Sequence, residues 1–363
     1  MPDSDHTLFP SRRYTVAELR SLLRQPSRLG DVFPGQFRLS LEADLEVLEI
    51  ASHARIDCVM PSFLLSAVYY LNSLHPDSEV AGFLDPTEPA ENYPQKYECF
   101  RSYCLQYREE LIELLASRHV QTNALHRCAV LVPALCLTNR MFSGRPCTLI
   151  DLGTSAGLHL LCDLYSYSYP ELGGRVLCGR FESEVDLEIE FSWKGRKPNN
   201  PGAFFQAPEI AERIGVDLAP IDLGRPEQRK WLEAFSPIED GVLEAFQALQ
   251  ERSPFRLVTG DILEVLEPLA NAVPSDSLLV ILHSFMTVQF SSEARNAFNS
   301  ILAAIGAARD LAVISLENEL ASTTPVELWL RVYRDGSNTD QRLARCQYPL
   351  DVGEWLEWLG PID

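Results

Sequence analysis

One segment of this sequence constrains its fold more than any other: an apolar run that ends in a cluster of small residues. Cys147–Leu152 has the sequence CTLIDL, which is typical of a short buried strand, and residues 153–157 have the sequence GTSAG. An apolar segment follows, and we predict a helix from Leu158 to about Tyr165. Small residues allow a tight turn and a close approach of the backbone to a ligand, while a helix start favours anionic groups. The segment therefore predicts a strand–turn–helix unit of an α/β protein.

Strand-like and helical segments alternate after this unit. Strands are predicted over Ile214–Leu218, Phe255–Thr259, Ser277–His283 and Leu311–Leu316, and helices over Glu227–Phe235, Gly241–Arg252, Ile262–Ala270 and Ser291–Ala307. This alternation predicts a parallel sheet that is covered by helices on both faces.

Two pairs of segments alternate apolar and polar residues, which predicts antiparallel hairpins. The first pair is Val176–Phe181 and Val185–Trp193. The second pair is Glu327–Tyr333 and Arg342–Tyr348, which flank a turn that contains Asp335-Gly336. A mostly parallel sheet that ends in a hairpin is therefore expected.

The first third of the chain is predicted to be helical. Apolar residues at three- and four-residue spacing predict helices over Leu41–His53, Ser62–Leu74, Cys99–His119 and Asn123–Leu137. Because the pattern changes at residues 144–146, we predict a helical amino-terminal domain over 1–143 and a Rossmann-like domain over 144–363.

Composition limits the classes of partner. The chain has 363 residues and a net charge of −20 at pH 7, so we expect a small-molecule partner, no nucleic acid and no membrane. The first residues lack the apolar core of a signal peptide, and no apolar run approaches the roughly 20 residues of a membrane span. Nine cysteines without a CxxC pair predict free thiols, a cytoplasmic location and no metal site.

The small-residue turn has two interpretations. In the first, Asp151, Gly153 and Gly157 resemble the methyltransferase signature Asp-x-Gly-x-Gly-x-Gly, with Ser155 in place of the middle glycine. This resemblance implies that the turn holds S-adenosylmethionine (SAM) and that Asp151 points toward its amino-acid half.

In the second interpretation, GTSAG is the nucleophile elbow G-x-S-x-G of a serine hydrolase. A triad can be drawn from Ser155, Asp261 and His283. Such an elbow normally follows several strands that also supply the oxyanion hole. The residues before Cys147 are predicted to be helical and contain no HGGG-like segment, so the context favours the first interpretation.

Polar residues at the other strand ends are further candidates, because ligands of open α/β sheets bind beyond the carboxyl ends of the strands. Asp217, with Asp222 as an alternative, is predicted to accept hydrogen bonds from ribose hydroxyls. Asp261 is predicted to accept a hydrogen bond from the adenine amino group, to cap a helix, or both. His283 is either catalytic or packed in the core. Glu317 is expected to cap a loop.

Five stretches in one order resemble a single bacterial family: PSFLLSAVYYL (61–71), QTNALHRCAVLVPAL (121–135), LIDLGTSAGLHLL (149–161), GVDLAPID (215–222) and VILHS (280–284). The family is similar to class I SAM-dependent methyltransferases with an added helical amino-terminal region. It includes azetidine-2-carboxylate synthases, which cyclise SAM and release methylthioadenosine. The resemblance implies an α/β, Rossmann-like class I SAM methyltransferase fold with a helical N-terminal domain.

The resemblance implies a cyclisation in which the SAM amine attacks its own γ-carbon. Methyl transfer to a small acceptor and SAM binding without catalysis stay as alternatives. Asn123 is implied as a neutral partner of the amine, and His159, where the family usually has Asn, as the acceptor of its proton near neutral pH. Gln121 and Arg127 are candidate partners of the SAM carboxylate, and a structural role that joins the two domains is the alternative for Arg127.

Three tyrosines follow the predicted helix. A cation–π contact with the sulfonium is predicted for one of Tyr165, Tyr167 and Tyr169. Ordinary packing is the alternative for each of them.

Overall fold

A computed structural model of the chain describes residues 12–24, 35–55, 62–77, 80, 93–118, 124–177, 187–235, 241–317, 325–347 and 355–362. The chain divides into two compact units. The first contains residues 1–122 and 224–237, and the second contains residues 123–223 and 238–363. The second unit therefore includes a helix over Arg127–Met141 that the sequence analysis placed in the amino-terminal domain.

In chain order, the α-helices of the described residues are α1 (Val16–Leu23), α2 (Gly35–Ala43), α3 (Leu45–Ala51), α4 (Ser62–Leu74), α5 (Tyr93–Gln106), α6 (Arg108–Ser117), α7 (Arg127–Met141), α8 (Pro201–Phe204), α9 (Pro226–Phe235), α10 (Val242–Arg252), α11 (Ile262–Ala272) and α12 (Ser292–Ala308). Short 3₁₀ helices cover Leu158–Leu164, Pro170–Leu172 and Thr287–Gln289. No helix among these residues is both long enough and apolar enough to cross a bilayer.

The strands, also in chain order, are β1 (Cys147–Leu152), β2 (Ser166–Tyr169), β3 (Gly174–Leu177), β4 (Glu188–Glu190), β5 (Ser192–Gly195), β6 (Ile210–Asp217), β7 (Arg256–Thr259), β8 (Leu278–Ser284), β9 (Leu311–Glu317), β10 (Val326–Arg334), β11 (Ser337–Cys346) and β12 (Trp355–Trp358).

The first unit contains helices α1–α6 and α9. The helix predicted over Ser62–Leu74 is confirmed as α4. The single helix predicted over Leu41–His53 is wrong, because Asp44 separates α2 from α3 and its carboxylate accepts the N–H groups of Glu46 and Val47. The side chain of an N-cap residue starts a new helix in this way.

The second unit is built on a nine-stranded sheet with the order β5-β12-β11-β10-β9-β8-β1-β6-β7. The strands β7, β6, β1, β8 and β9 are mutually parallel, so in chain order they form the 3-2-1-4-5 arrangement of a Rossmann-like sheet. Every residue of β1 and β8 is buried, as a central strand covered on both faces requires. The predicted α/β, Rossmann-like fold is confirmed.

The predicted carboxyl-terminal hairpin is confirmed as β10–β11. Its turn residues Asp335 and Gly336 have φ values of +52° and +74°. Positive φ at both central positions is typical of the tight turn that matches the twist of paired strands.

The other predicted hairpin, over Val176–Phe181 and Val185–Trp193, is wrong. Strands β3 and β4 both pair with β2, in a separate three-stranded sheet with the order β3-β2-β4. The predicted helix from Leu158 to Tyr165 is instead a 3₁₀ helix, and β2 follows it directly. Alternation along the sequence predicts strands here, but it does not determine which strands pair.

Candidate functional site

The turn after β1 has a backbone that favours small residues. Gly153 and Gly157 have φ values of +72° and +84°, and Ser155 has a φ of +51°. A Cβ atom at Gly157 would lie 2.7 Å from the Phe255 ring, so this glycine is required both by conformation and by packing. The sequence prediction of a small-residue turn that joins β1 to a helical segment is confirmed.

Asp151 lies in β1, one residue before the strand ends, and is buried, with 1% of its surface exposed. Its Oδ2 accepts a hydrogen bond from Thr154 Oγ1 at 2.7 Å, whereas its Oδ1 has no hydrogen-bond partner. Burial raises the pKa of the carboxyl to about 7, the bond from Thr154 opposes this rise, and the charge of Asp217 adds to it. Asp151 therefore exchanges a proton near neutral pH.

His159 is buried on the 3₁₀ helix, and its Nδ1 lies 3.9 Å from Asp151 Oδ2. Burial and the nearby charge of Arg127 lower the pKa of the imidazole to about 3, although a hydrogen bond to the Ala124 backbone opposes this shift. The prediction that His159 accepts a proton near neutral pH is therefore wrong, because the ring is held neutral. Its Nε2 is buried without a hydrogen-bond partner.

Three buried polar atoms within nine residues thus lack partners: Asp151 Oδ1, Ser155 Oγ and His159 Nε2. Most buried polar atoms in proteins are hydrogen-bonded, and each one left unpaired destabilises the fold by roughly 1–3 kcal/mol. Together they offer an acceptor, a hydroxyl and a ring nitrogen. This donor and acceptor set fits the amino group and hydroxyls of a polar ligand such as SAM, and the turn's small residues fit a close approach by such a ligand.

Asp217, at the end of β6, supports the turn. Its Oδ2 accepts the Ser155 N–H at 2.9 Å, and its Oδ1 accepts the Ala219 N–H at 3.0 Å. Asp261 caps α11 by accepting the Leu263 N–H at 2.8 Å, as one of its predicted roles requires. The predicted contacts of these two carboxylates with ribose and adenine stay predictions.

Arg127 begins α7 and is buried beside the turn that follows β8. Its Nη1 donates to Ser284 Oγ at 3.3 Å, and its guanidinium carbon lies 4.5 Å from the centroid of the Phe285 ring. Its positive charge also opposes the rise in the pKa of Asp151 and contributes to the fall in the pKa of His159. Arg127 therefore belongs electrostatically to the same site. Gln121 and Asn123, the two other candidates near α7, lie outside the described residues.

His283 is directed away from this cluster. In the β1–β8 register, Asp151 pairs with Leu282 and Leu152 pairs with His283, so Asp151 and His283 leave opposite faces of the sheet. The His283 ring packs edge-to-face on Phe298 of α12.

The hydrolase triad does not form. His283 Nδ1 lies 2.8 Å from Glu317 Oε1, whereas Asp261 caps a helix. Ser155 Oγ is buried and unpartnered, although a nucleophile elbow exposes its serine to substrate. The interpretation of Ser155, Asp261 and His283 as a triad is therefore wrong.

The three tyrosines have structural partners. The hydroxyls of Tyr165, Tyr167 and Tyr169 donate to the carbonyl oxygens of Leu158, Cys162 and Ala129, respectively. All three side chains are buried. This arrangement supports ordinary packing.

Thr154, Phe285 and Met286 are site residues that the sequence did not indicate, and the only role predicted for Glu317 is that of a loop cap. Phe285 and Met286 follow a fully buried strand, and both are apolar, so neither has the polar side chain by which site residues are sought in a sequence. A Cβ atom at Gly153 would lie 3.4 Å from Met286 Cγ, so Met286 lies against the turn. Glu317 lies at a strand end, where an acidic residue could bind a ligand, act in catalysis or cap a loop. Only its hydrogen-bond partners in the folded protein distinguish these roles.

Metal ligands do not cluster in the part of the chain that the structure describes: no three His, Cys, Asp or Glu residues there could hold an ion together.

Known proteins give the following comparisons. No curated protein matches the chain. A crystal structure of a SAM-dependent methyltransferase from Clostridium acetobutylicum ATCC 824 is similar over 67% of this chain and 80% of that chain, with 10% sequence identity and a TM-score of 0.25. A family model described as "Uncharacterized protein conserved in bacteria (DUF2332)" matches residues 33–358, and the chain belongs to this family.

Proposed function

We propose that this chain is a SAM-dependent enzyme that binds SAM at the carboxyl end of β1 and cyclises it to azetidine-2-carboxylate. The observation that carries the proposal is the group of three unpartnered, buried polar atoms on Asp151, Ser155 and His159. Buried polar atoms without partners are unfavourable, so we expect a ligand to complete their hydrogen bonds. The methyltransferase-like signature around Gly153 makes SAM the ligand to test.

Asp151 is the group best suited to receive the proton of the SAM amine. An α-amino group has a pKa of about 8 and attacks only when neutral. A carboxylate of ordinary pKa would hold the amine as ammonium, whereas burial raises the pKa of Asp151 to about 7. The two pKa values are then close, so the proton can move from the ammonium to Asp151 Oδ1 at little cost.

The ammonium gives one proton to Asp151, and the neutral nitrogen attacks the γ-carbon of the same molecule. A C–N bond forms while the C–S bond breaks, and the electron pair of the broken bond neutralises the sulfonium of methylthioadenosine. The four-membered ring keeps two hydrogens on its positive nitrogen, and Asp151 returns its proton to water.

Other residues of the site position the substrate in this proposal. Arg127 binds the SAM carboxylate through its guanidinium, which is the group best matched to a carboxylate in geometry. His159 is neutral and acts as a hydrogen-bond partner, since its pKa of about 3 prevents it from acting as a base. Burial excludes water, so bound SAM is protected from hydrolysis while the amine is aligned behind the C–S bond.

The experiment is incubation of the pure protein with SAM alone, followed by mass spectrometry of the products. We expect equimolar methylthioadenosine and a four-membered cyclic amino acid. The role of Asp151 is tested with Asp151→Asn. The matched control for that variant is Asp335→Asn, because Asp335 lies on the β10–β11 turn with 93% of its side chain exposed. This variant should keep full activity.

Two other outcomes would replace the proposal. If SAM binds and survives, cyclisation is excluded, and release of S-adenosylhomocysteine with added small acceptors would then support methyl transfer. If calorimetry detects no SAM binding, both SAM-dependent reactions are excluded. Unchanged product formation by Asp151→Asn would contradict the assigned role of Asp151 alone.

A further inference from the structure

A partly buried carboxylate at the end of β9 binds the backbone of the turn that follows β8. Glu317 Oε1 lies 2.8 Å from His283 Nδ1 and accepts the N–H groups of Met286 and Thr287, both at 3.1 Å. Its Oε2 accepts the Val288 N–H at 3.3 Å. A carboxylate only accepts, so His283 Nδ1 carries the hydrogen in this contact. Hydrogen bonds to a charged acceptor are roughly twice as strong as neutral ones.

The turn that Glu317 holds has an unfavourable backbone conformation. Phe285 has a φ of +54°, which a bulky side chain rarely adopts. Its N–H donates to the Leu316 carbonyl at 3.0 Å, and its own carbonyl accepts Gln289 Nε2 at 2.7 Å. Conformations of this kind persist only when the surroundings impose them, and they concentrate at functional sites. The hydrogen bonds from the N–H groups of residues 286–288 to Glu317 help to impose the positive φ of Phe285.

Two side chains of this turn contact the proposed SAM site. The Phe285 ring lies 4.5 Å from the guanidinium carbon of Arg127. The Met286 side chain lies against Gly153, where an added Cβ atom would approach Met286 Cγ to 3.4 Å. The turn therefore packs against the arginine and the glycine that the proposed function uses.

We propose that Glu317 is a positioning residue of the SAM site and acts through the turn at residues 285–288. The inference rests on the proposed function and deepens it. Glu317 fixes the turn from the face of the sheet opposite Asp151, and the turn fixes Phe285 against Arg127 and Met286 against Gly153. His283 connects this arrangement to α12 through its packing on Phe298.

The test compares Glu317→Gln with Glu327→Gln. Gln keeps the shape of the side chain but removes the charge and places an NH₂ group among N–H donors. Glu327 lies directly opposite Glu317 in the β9–β10 register and pairs with Arg342 at 2.6 Å, so it is a matched control. In Glu317→Gln, we expect the amide hydrogens of residues 286–288 to exchange at least about tenfold faster and the Kd for SAM to rise about tenfold. Glu327→Gln should change neither.

A double-mutant cycle tests whether Glu317 acts on the SAM site through Met286. Met286→Ala leaves the backbone bonds of Glu317 in place, and we expect it to raise the Kd for SAM by itself. In this background, Glu317→Gln should raise the Kd by less than about threefold, because part of the route is already removed. Equal effects in both backgrounds would overturn the inference and indicate a merely structural role. If Glu317→Gln does not fold, Met286→Ala alone still tests the inference, because an unchanged Kd for SAM in that variant overturns it.

Failures of the two proposals are distinguishable. A wild-type protein that does not bind SAM overturns the proposed function, and the inference with it. A wild-type protein that binds SAM, together with an unchanged Kd in Glu317→Gln, overturns the inference alone.

Discussion

Two carboxylates at the same edge of the sheet, one buried and one partly buried, have opposite surroundings. Asp151, at the end of β1, accepts one hydrogen bond from Thr154 and keeps one oxygen without a partner, and burial raises its pKa to about 7. Glu317, at the end of β9, accepts four hydrogen bonds, and its bonds from His283 and from backbone N–H groups hold its pKa below the ordinary range.

Burial acts in the same direction on both groups, so the number of donors decides between the two outcomes. A carboxylate with enough donors keeps its charge inside a protein, and one without them becomes a proton acceptor near neutral pH. Glu317 is complete without a ligand, whereas Asp151 has capacity for one. Glu317 is therefore suited to stabilising the fold, and Asp151 is suited to accepting a proton. The predictions below test this difference.

The largest expected effect is on catalysis. Asp151→Asn removes the proton acceptor of the proposed reaction, so we expect methylthioadenosine release to fall by roughly 10²–10⁴-fold, the usual contribution of a general base. The measurement is single-turnover product analysis at saturating SAM. A loss below about threefold would place the proton acceptor elsewhere.

The second prediction is that neutral variants of the two carboxylates change stability in opposite directions at pH 8. The folded-state pKa of Asp151 is above its ordinary value of 3.8, so its penalty develops as pH rises from 3.8 to 7 and reaches about 4 kcal/mol. Asp151→Asn should therefore be more stable than the wild type. The pKa of Glu317 is lowered, so its ionised form stabilises the fold. The free energy of unfolding of Glu317→Gln should therefore be about 2–3 kcal/mol lower than that of the wild type. Urea unfolding measures both changes, and changes of the same sign would contradict the comparison.

A third prediction concerns His159, which burial keeps neutral. Its folded-state pKa of about 3 lies below its ordinary value of 6.5, so the unfolded chain takes up a proton first as pH falls below 6.5. Between pH 6.5 and pH 5, this single group should reduce the free energy of unfolding by on the order of 2 kcal/mol. In His159→Asn, urea unfolding at pH 7 and pH 5 should show a correspondingly smaller acid destabilisation. An identical loss in both proteins would mean that the ring is solvated.

The smallest expected effect is that of Ser155→Ala. The hydroxyl is buried without a partner in the turn, so its removal should raise the free energy of unfolding of the free protein by about 1 kcal/mol. The Kd for SAM should rise by a few fold, because one hydrogen bond to the ligand is lost. Isothermal titration and thermal unfolding test these two expectations. Nitrophenyl-ester hydrolysis that disappears in this variant would instead support a nucleophilic serine.

Much of the fold follows from local sequence. The parallel strands β1, β6, β7, β8 and β9 were predicted to within a few residues, because short apolar runs between helical segments indicate them directly. The hairpin at Asp335-Gly336 was predicted because the turn chemistry is contained in two residues. The pairing of β3 and β4 with β2 was not predicted, because sequence alternation carries no information about which strands become neighbours.

The candidate site divides in the same way. The sequence by itself determined the turn at residues 153–157, the acid before it and the carboxylates at the strand ends, because backbone geometry and helix capping depend on nearest neighbours. Only the tertiary structure decided their chemistry. Asp151 and His159 have shifted pKa values because remote elements bury them, and Glu317 reaches a histidine 34 residues away. Solvent exclusion and hydrogen-bond partners are properties of the packed molecule, so no local pattern could have distinguished the carboxylate with four donors from the one with an unpaired oxygen.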